Sequence, residues 1–209
     1  MNSLSPMLDI TEHYLPLDMS EVFGNKGEAA LEIGCGEGDF LIEMAKRKSH
    51  WNFTGIEIKR KRFKKAIKNA ERERLQNLRF LHMDAKIAVE EVFSPNTFSE
   101  VYINFPDPWP KDRHKKHRII NPEFLERLYK IMKRQAVLEI ASDHEEYISH
   151  ILGTFSETGI FESMLPPPGY VYNLPNRPPT KFEREFREEG KEIYYLRFMR
   201  IAKVKSTVT

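Results

Sequence analysis

The sequence predicts an α/β fold: a mostly parallel sheet with helices on both faces. Two observations carry this. Short apolar runs alternate along the chain with longer segments of helical period. That alternation at this spacing implies parallel strands joined by crossover helices. Acidic residues then recur at or just after the predicted strand ends, where ligands bind in such sheets. The chain has 209 residues, enough for one domain with a full-sized core. Net charge is only +2, so any affinity for a polyanion must come from local clustering. The single Cys35 excludes an internal disulfide and fits a reducing compartment. No apolar run approaches a membrane span, and the N-terminus carries no secretory pattern, so a cytoplasmic protein is expected.

Residues 1–28 read as an irregular lead-in with a short helix around Ser20–Phe23. Residues 29–209 read as one domain. Ala29–Ile33 is an apolar run ending in glycines, a buried strand. Asp39–Lys48 is a helix and Trp51–Ile58 a second strand. Lys59–Leu75 is a helix, with Phe63, Ala66, Ile67 and Ala70 on one face. Leu78–His82 and Glu100–Asn104 are the third and fourth strands. Pro122–Met132 is a helix, Ala136–Ala141 the fifth strand and Glu145–Thr158 another helix. A proline-rich loop fills 166–179, followed by helix Lys181–Glu189 and a late strand Glu192–Ala202.

Gly34, Gly36 and Gly38 follow the first strand and open a helix, allowing a tight turn and a close approach of ligand to backbone. A dinucleotide loop would place a third glycine where Asp39 stands. Glu32 and Asp39 are poor company for a pyrophosphate and suit an ammonium group. Glu57 lies about 20 residues on, where an acid accepts from ribose hydroxyls. Asp84, ending the third strand, suits an adenine amine. Ammonium, ribose and adenine together describe S-adenosylmethionine. Cys35 reads as a small apolar filler inside the turn.

After the fourth strand comes NFPDPWPKDRHKKHR, residues 104–118. Asp107 is held between Pro106 and Pro108, each of which locks φ. Lys111, Arg113, Lys115, Lys116 and Arg118 then give five positive charges against Asp112, with His114 and His117 among them. Such a cluster neutralises phosphates. His114 and His117 have no third ligand nearby and sit among cations, so no metal is expected. The helix after the second strand, KRKRFKKAIKNAERER, is also basic on its outer face; an ordinary solvated face explains it equally well. Thr180 and Glu183 form a capping box that starts a helix.

The motifs LEIGCGEGDF (31–40), GIE (55–57), DA (84–85), FPDPWPKDRHKKHR (105–118), SD (142–143) and TKFE (180–183) together resemble the bacterial tRNA (guanine-N7)-methyltransferase family. The resemblance implies a Rossmann-like class I methyltransferase fold, seven-stranded with the last strand antiparallel, and makes 29–209 the catalytic domain. It implies methyl transfer from S-adenosylmethionine to N7 of a variable-loop guanine in tRNA. By its motifs, Glu32, Glu57, Asp84 and Asp107 belong to the cofactor site, with Gly34, Gly36 and Gly38 as its loop. Lys111, Asp143, Thr180, Lys181, Phe182 and Glu183 belong to the substrate site, and Arg113 to Arg118 to the RNA contact. Two departures stand out: Ser142 replaces the usual threonine, and MKRQAV replaces a glycine-rich turn before the fifth strand.

Guanine N7 carries no proton, so Asp107 is expected to position the base or face the developing cation rather than act as a general base. Two other readings are weighed. An exocyclic-amine methyltransferase would use Asn104–Phe105–Pro106, but Phe105 and Asp107 break that motif. A non-catalytic RNA-binding module would not need the intact acidic set. Monomer and homodimer both remain open.

Overall fold

The computed structural model describes residues 5–203. Seven strands form one sheet: β1 (Ala29–Ile33), β2 (Asn52–Ile56), β3 (Leu78–Leu81), β4 (Phe98–Asn104), β5 (Met132–Ser142), β6 (Phe161–Ser163) and β7 (Tyr194–Arg200). Their order is β3-β2-β1-β4-β5-β7-β6. Neighbours among β1 to β5 pair in parallel, and β7 runs antiparallel between β5 and β6. The chain winds outward from β1 to β3, then jumps back to place β4 on the other side of β1. That reversal opens a crevice between the carboxyl ends of β1 and β4, the place where open α/β sheets bind ligands.

Side-chain alternation along β1 splits the core. Ala29, Leu31 and Ile33 face one side, with Phe124, Leu125, Leu128, Tyr147 and Ile151 of helices α5 (Pro122–Ile131) and α6 (Glu145–Thr158). Ala30 faces the other, with helices α2 (Asp39–Arg47) and α3 (Arg60–Glu73). Phe63, Ala66 and Ala70 are the buried residues of α3, as its period predicts. The start of α5 is set locally: Asn121 accepts from the Phe124 N–H at 3.0 Å, and Pro122 follows at the first helical position.

The described part of the lead-in lies along the sheet. The Leu8 N–H donates to the Phe80 carbonyl at 2.8 Å, and the Phe80 N–H to the Pro6 carbonyl at 2.7 Å, which covers the free edge of β3. A short helix, α1 (Met19–Phe23), and a helical turn, α4 (Ala85–Ile87), which continues as a π turn over Ala88–Val92, sit against the α5 side.

Two elements differ from the sequence reading. β6 is only three residues long, too short for a pattern. β5 begins at Met132, so the polar run MKRQ is strand rather than turn. Gln135 there adopts φ +62°, and the pairing of β4 with β5 shifts register between Phe98 and Glu100. The strand bends through this irregularity, with a glutamine in the left-handed conformation that glycine favours.

Candidate active site

Glu32 stands at the end of β1 and is 2% exposed. Its Oε1 accepts from Asn104 Nδ2 at 2.8 Å, across the crevice, while its Oε2 has no partner among the described residues. Burial pushes its carboxyl up to about 7, against the Asn104 hydrogen bond and the Arg177 charge; Asp39 and Glu57 add to the rise. A buried carboxylate oxygen without a donor is costly, and a cationic ligand would satisfy it. In the loop that follows, Gly34 and Cys35 both donate to the Ile56 carbonyl at 2.9 Å. Gly34 adopts φ +73°, and a Cβ there would meet no atom within 4 Å, so the loop turns open space toward a ligand. At Gly38 the constraint is packing: its φ is +83° and a Cβ would lie 2.8 Å from the Phe80 ring. Cys35 is buried in the core, which pushes its thiol up.

Glu57, at the end of β2, is also buried; its oxygens accept from Gly36 N at 2.9 Å and Lys59 N at 2.7 Å. It therefore shapes the glycine loop and keeps lone pairs for a further donor. Asp84 caps α4, accepting from Lys86 N at 2.8 Å. Glu57, Asp84 and Asp107 line one cavity of about 410 Å³, with Gly34 as its floor and Trp109 and His117 at its wall. A second cavity of about 120 Å³ is lined by Glu32, Gly36, Thr180, Lys181 and Phe182. Gly34, Arg62 and Asn104 border both, so the two form one continuous groove along the crevice.

Asn104 is fixed by a residue the sequence reading missed. Its Oδ1 accepts from the Arg177 guanidinium, whose side chain is 5% exposed. Arg177 also donates to Glu139 at 2.7 Å and to Glu183 at 2.9 Å, and it packs between the rings of Phe40 and Tyr195. It rises from the proline-rich segment and ties together β1, β4, β5 and the TKFE turn. A single arginine inside an irregular stretch gives no periodic signal to mark it in the sequence.

TKFE is half a capping box. Thr180 accepts from the Glu183 N–H at 2.9 Å, but the Glu183 carboxylate turns inward to Arg177, Arg187 and Tyr195. It is buried, takes three donors from the chain itself and lines neither cavity, so it supports the site from below. Lys181 and Phe182 do reach the groove. Asp143 lies outside both cavities, 3.4 Å from Lys191 Nζ.

In the 104–118 segment, Phe105 and Trp109 adopt φ of +50° and +42°, uncommon for aromatic residues. They bracket the exposed Asp107. Each costs on the order of 1 kcal/mol, held by packing: Phe105 against Phe186, Trp109 against His114 and His117. Asp112–His117 forms a 3-10 turn. Arg118 corrects the reading of the basic run. It is 2% exposed, donates to the Pro108 carbonyl at 2.8 Å and to Glu146 at 3.2 Å, and lies over the Tyr147 ring. Its guanidinium braces the Asp107 loop from inside the protein, unlike the exposed cations of the run. Lys115 pairs with Asp112 and Glu146. Lys111, Arg113 and Lys116 stay exposed, without ion pairs among the described residues. A run of like charges hides which member turns inward.

A sheet of this order, with an acid-lined groove at its switch point, defines the methyltransferase class. Residues 26–196 match a family described as "Putative methyltransferase". A SAM dependent methyltransferase from Aquifex aeolicus shares the fold, with a TM-score of 0.60 at 16% identity over 92% of this chain and 93% of that one. Within that class, a tRNA (guanine-N(7)-)-methyltransferase from Pseudoalteromonas translucida is 35% identical over 93% of this chain and 81% of its own length. One from Thermotoga maritima is 36% identical over 87% of this chain, which spans little more than half of that relative, 56%. The chain belongs to the tRNA (guanine-N(7)-)-methyltransferase family.

Proposed function

We propose that the protein transfers a methyl group from S-adenosylmethionine to N7 of a guanine in tRNA, the variable-loop guanine. The observation that carries this reading is the continuous groove joining Glu32, Glu57, Asp84 and Asp107 at the switch point, with a basic segment leaving its rim. When bound, the cofactor supplies an electrophilic methyl on a sulfonium. Glu32 Oε2, buried and lacking a donor, suits the ammonium of its amino-acid part. Glu57 suits the ribose hydroxyls and Asp84 the adenine amine.

Asp107 sits on the same groove and on a backbone fixed by two prolines and two strained aromatics. It orients guanine by accepting from N1–H or the N2 amine, and its charge offsets the cation that develops on the purine. No proton need leave N7, so Asp107 acts without deprotonating anything. Trp109 and Phe182 offer aromatic faces at the two ends of the groove. Lys111, Arg113 and Lys116 extend the site toward RNA phosphates. The Asn104 geometry speaks against an exocyclic-amine methyltransferase, because both ends of its amide are engaged by Glu32 and Arg177 rather than aimed at a substrate amine.

The test is incubation with labelled cofactor and bulk tRNA, then borohydride and aniline. Cleavage at a variable-loop position is the expected result. Label without cleavage would assign a different acceptor atom and overturn the N7 reading.

A further inference from the structure

The basic helix α3 is not explained by the fold. Five of its first six residues are cationic: Arg60, Lys61, Arg62, Lys64 and Lys65. A helix N-terminus carries partial positive charge, so cations there are unfavourable, and the like-charged neighbours at i, i+3 and i, i+4 add to the penalty. The helices α2, α5, α6 and α7 (Lys181–Glu188) all place an acid in the first turn; α3 has none, and its N-cap Lys59 makes no side-chain hydrogen bond. Compensation from nearby acids is small. Lys65 reaches Glu37 at 2.7 Å, while Arg60, Lys61, Lys64 and Lys68 are exposed and have no ion pair among the described residues. The first acid of the helix is Glu71.

Position supplies the second half. Lys59 and Arg62, at the start of α3, line the larger cavity, and so does Lys86 after β3. These residues form the rim on the β2–β3 side. The Asp107 loop, which lines the cavity and carries the exposed Lys111, Arg113 and Lys116 further along, leaves from β4, on the other side of β1.

We infer that the first half of α3 is a second phosphate-binding bank, so that the RNA backbone is gripped on both sides of the groove holding the target base. This rests on the RNA-methylating function proposed above. The occupant is the backbone of the same tRNA, argued from charge complementarity: two rims whose exposed cations mostly lack ion pairs among the described residues flank a groove lined by Glu57, Asp84 and Asp107. Phosphate contacts on either side of one nucleotide fix the register of the strand over Asp107, whereas contacts on one side would leave it free to swing.

The test measures tRNA binding by full-length protein across a salt series. Neutralising Arg60→Gln, Lys61→Gln and Lys64→Gln together should shrink the log–log salt slope by about 2 and weaken binding by on the order of tenfold or more at 0.1 M salt. Cofactor affinity should not change, and melting temperature should hold or rise, because like-charge repulsion is relieved. The control is Arg72→Gln with Arg74→Gln, at the far end of the same helix, which should keep the wild-type slope. An unchanged slope in the triple variant, or an equal fall in the control, would overturn the inference. Because the slope reads binding and aniline cleavage reads the methylated atom, a wild-type protein that binds tRNA without creating a cleavage site would sink the N7 reading alone.

Discussion

Glu32 and Asp107 belong to neighbouring strands, at the end of β1 and just past the end of β4, yet they live under opposite conditions. Glu32 is buried, held by Asn104 and Arg177, and pushed toward neutrality. Asp107 is exposed on a loop bracketed by strained aromatics. The contrast separates two ways of building a site. The cofactor half is assembled by folding itself, through buried polar contacts that must be completed for the core to close. The acceptor half is aimed by backbone geometry and left open to solvent, which suits the tRNA substrate proposed above.

The largest effect should come from the hub of the buried half. Arg177→Met leaves Glu139 and Glu183 without their buried partner, so we expect a loss of about 3–5 kcal/mol in urea unfolding, partly recovered by Arg177→Lys. Wild-type stability in the methionine variant would break the contrast. On the open half, Asp107→Asn should lower turnover by roughly 10²–10³ at saturating substrates with no change in melting temperature. If the loss lay in stability instead, Asp107 would belong with Glu32.

The pH response sharpens the comparison further. Folding raises the Glu32 carboxyl from 4.5 to about 7, so the folded state keeps a proton that the unfolded state releases. Stability of the ligand-free protein should therefore fall as pH rises from about 4.5 to about 7 and level off above. A cationic ligand favours the ionised form, so cofactor affinity should rise through the same window, with proton uptake by buffer visible in calorimetry. Glu32→Gln should flatten both curves. The smallest effect concerns Gln135. Replacing it with glycine removes left-handed strain and should raise stability by at most about 1 kcal/mol, with turnover unchanged.

Much of this molecule is legible in its sequence because the information is local. Strands β1 to β4 announce themselves by apolar runs, and the glycine loop by spacing. What escapes has a common cause. Arg177, Arg118 and Glu183 are charged residues whose roles are set by distant partners: Glu139 and Asn104, Glu146, and Tyr195. Sequence context marks them as exposed or as surface binders, and only tertiary packing turns them inward. Gln135 escapes for the opposite reason, because nothing in its side chain reveals a left-handed backbone.

The placement of β7 has a consequence for how the protein is made. Among the described residues β6 pairs only with β7, and Arg177, which orients Asn104 and through it Glu32, lies in the segment before β7. A ribosome delivers the glycine loop early and these closing pieces late. Until then the nascent chain holds a strand without a neighbour and an acidic pocket without its arginine. Cofactor retention thus reports that synthesis has run past Arg177, and a chain cut short before Arg177 should neither bind cofactor nor gain protease resistance from it.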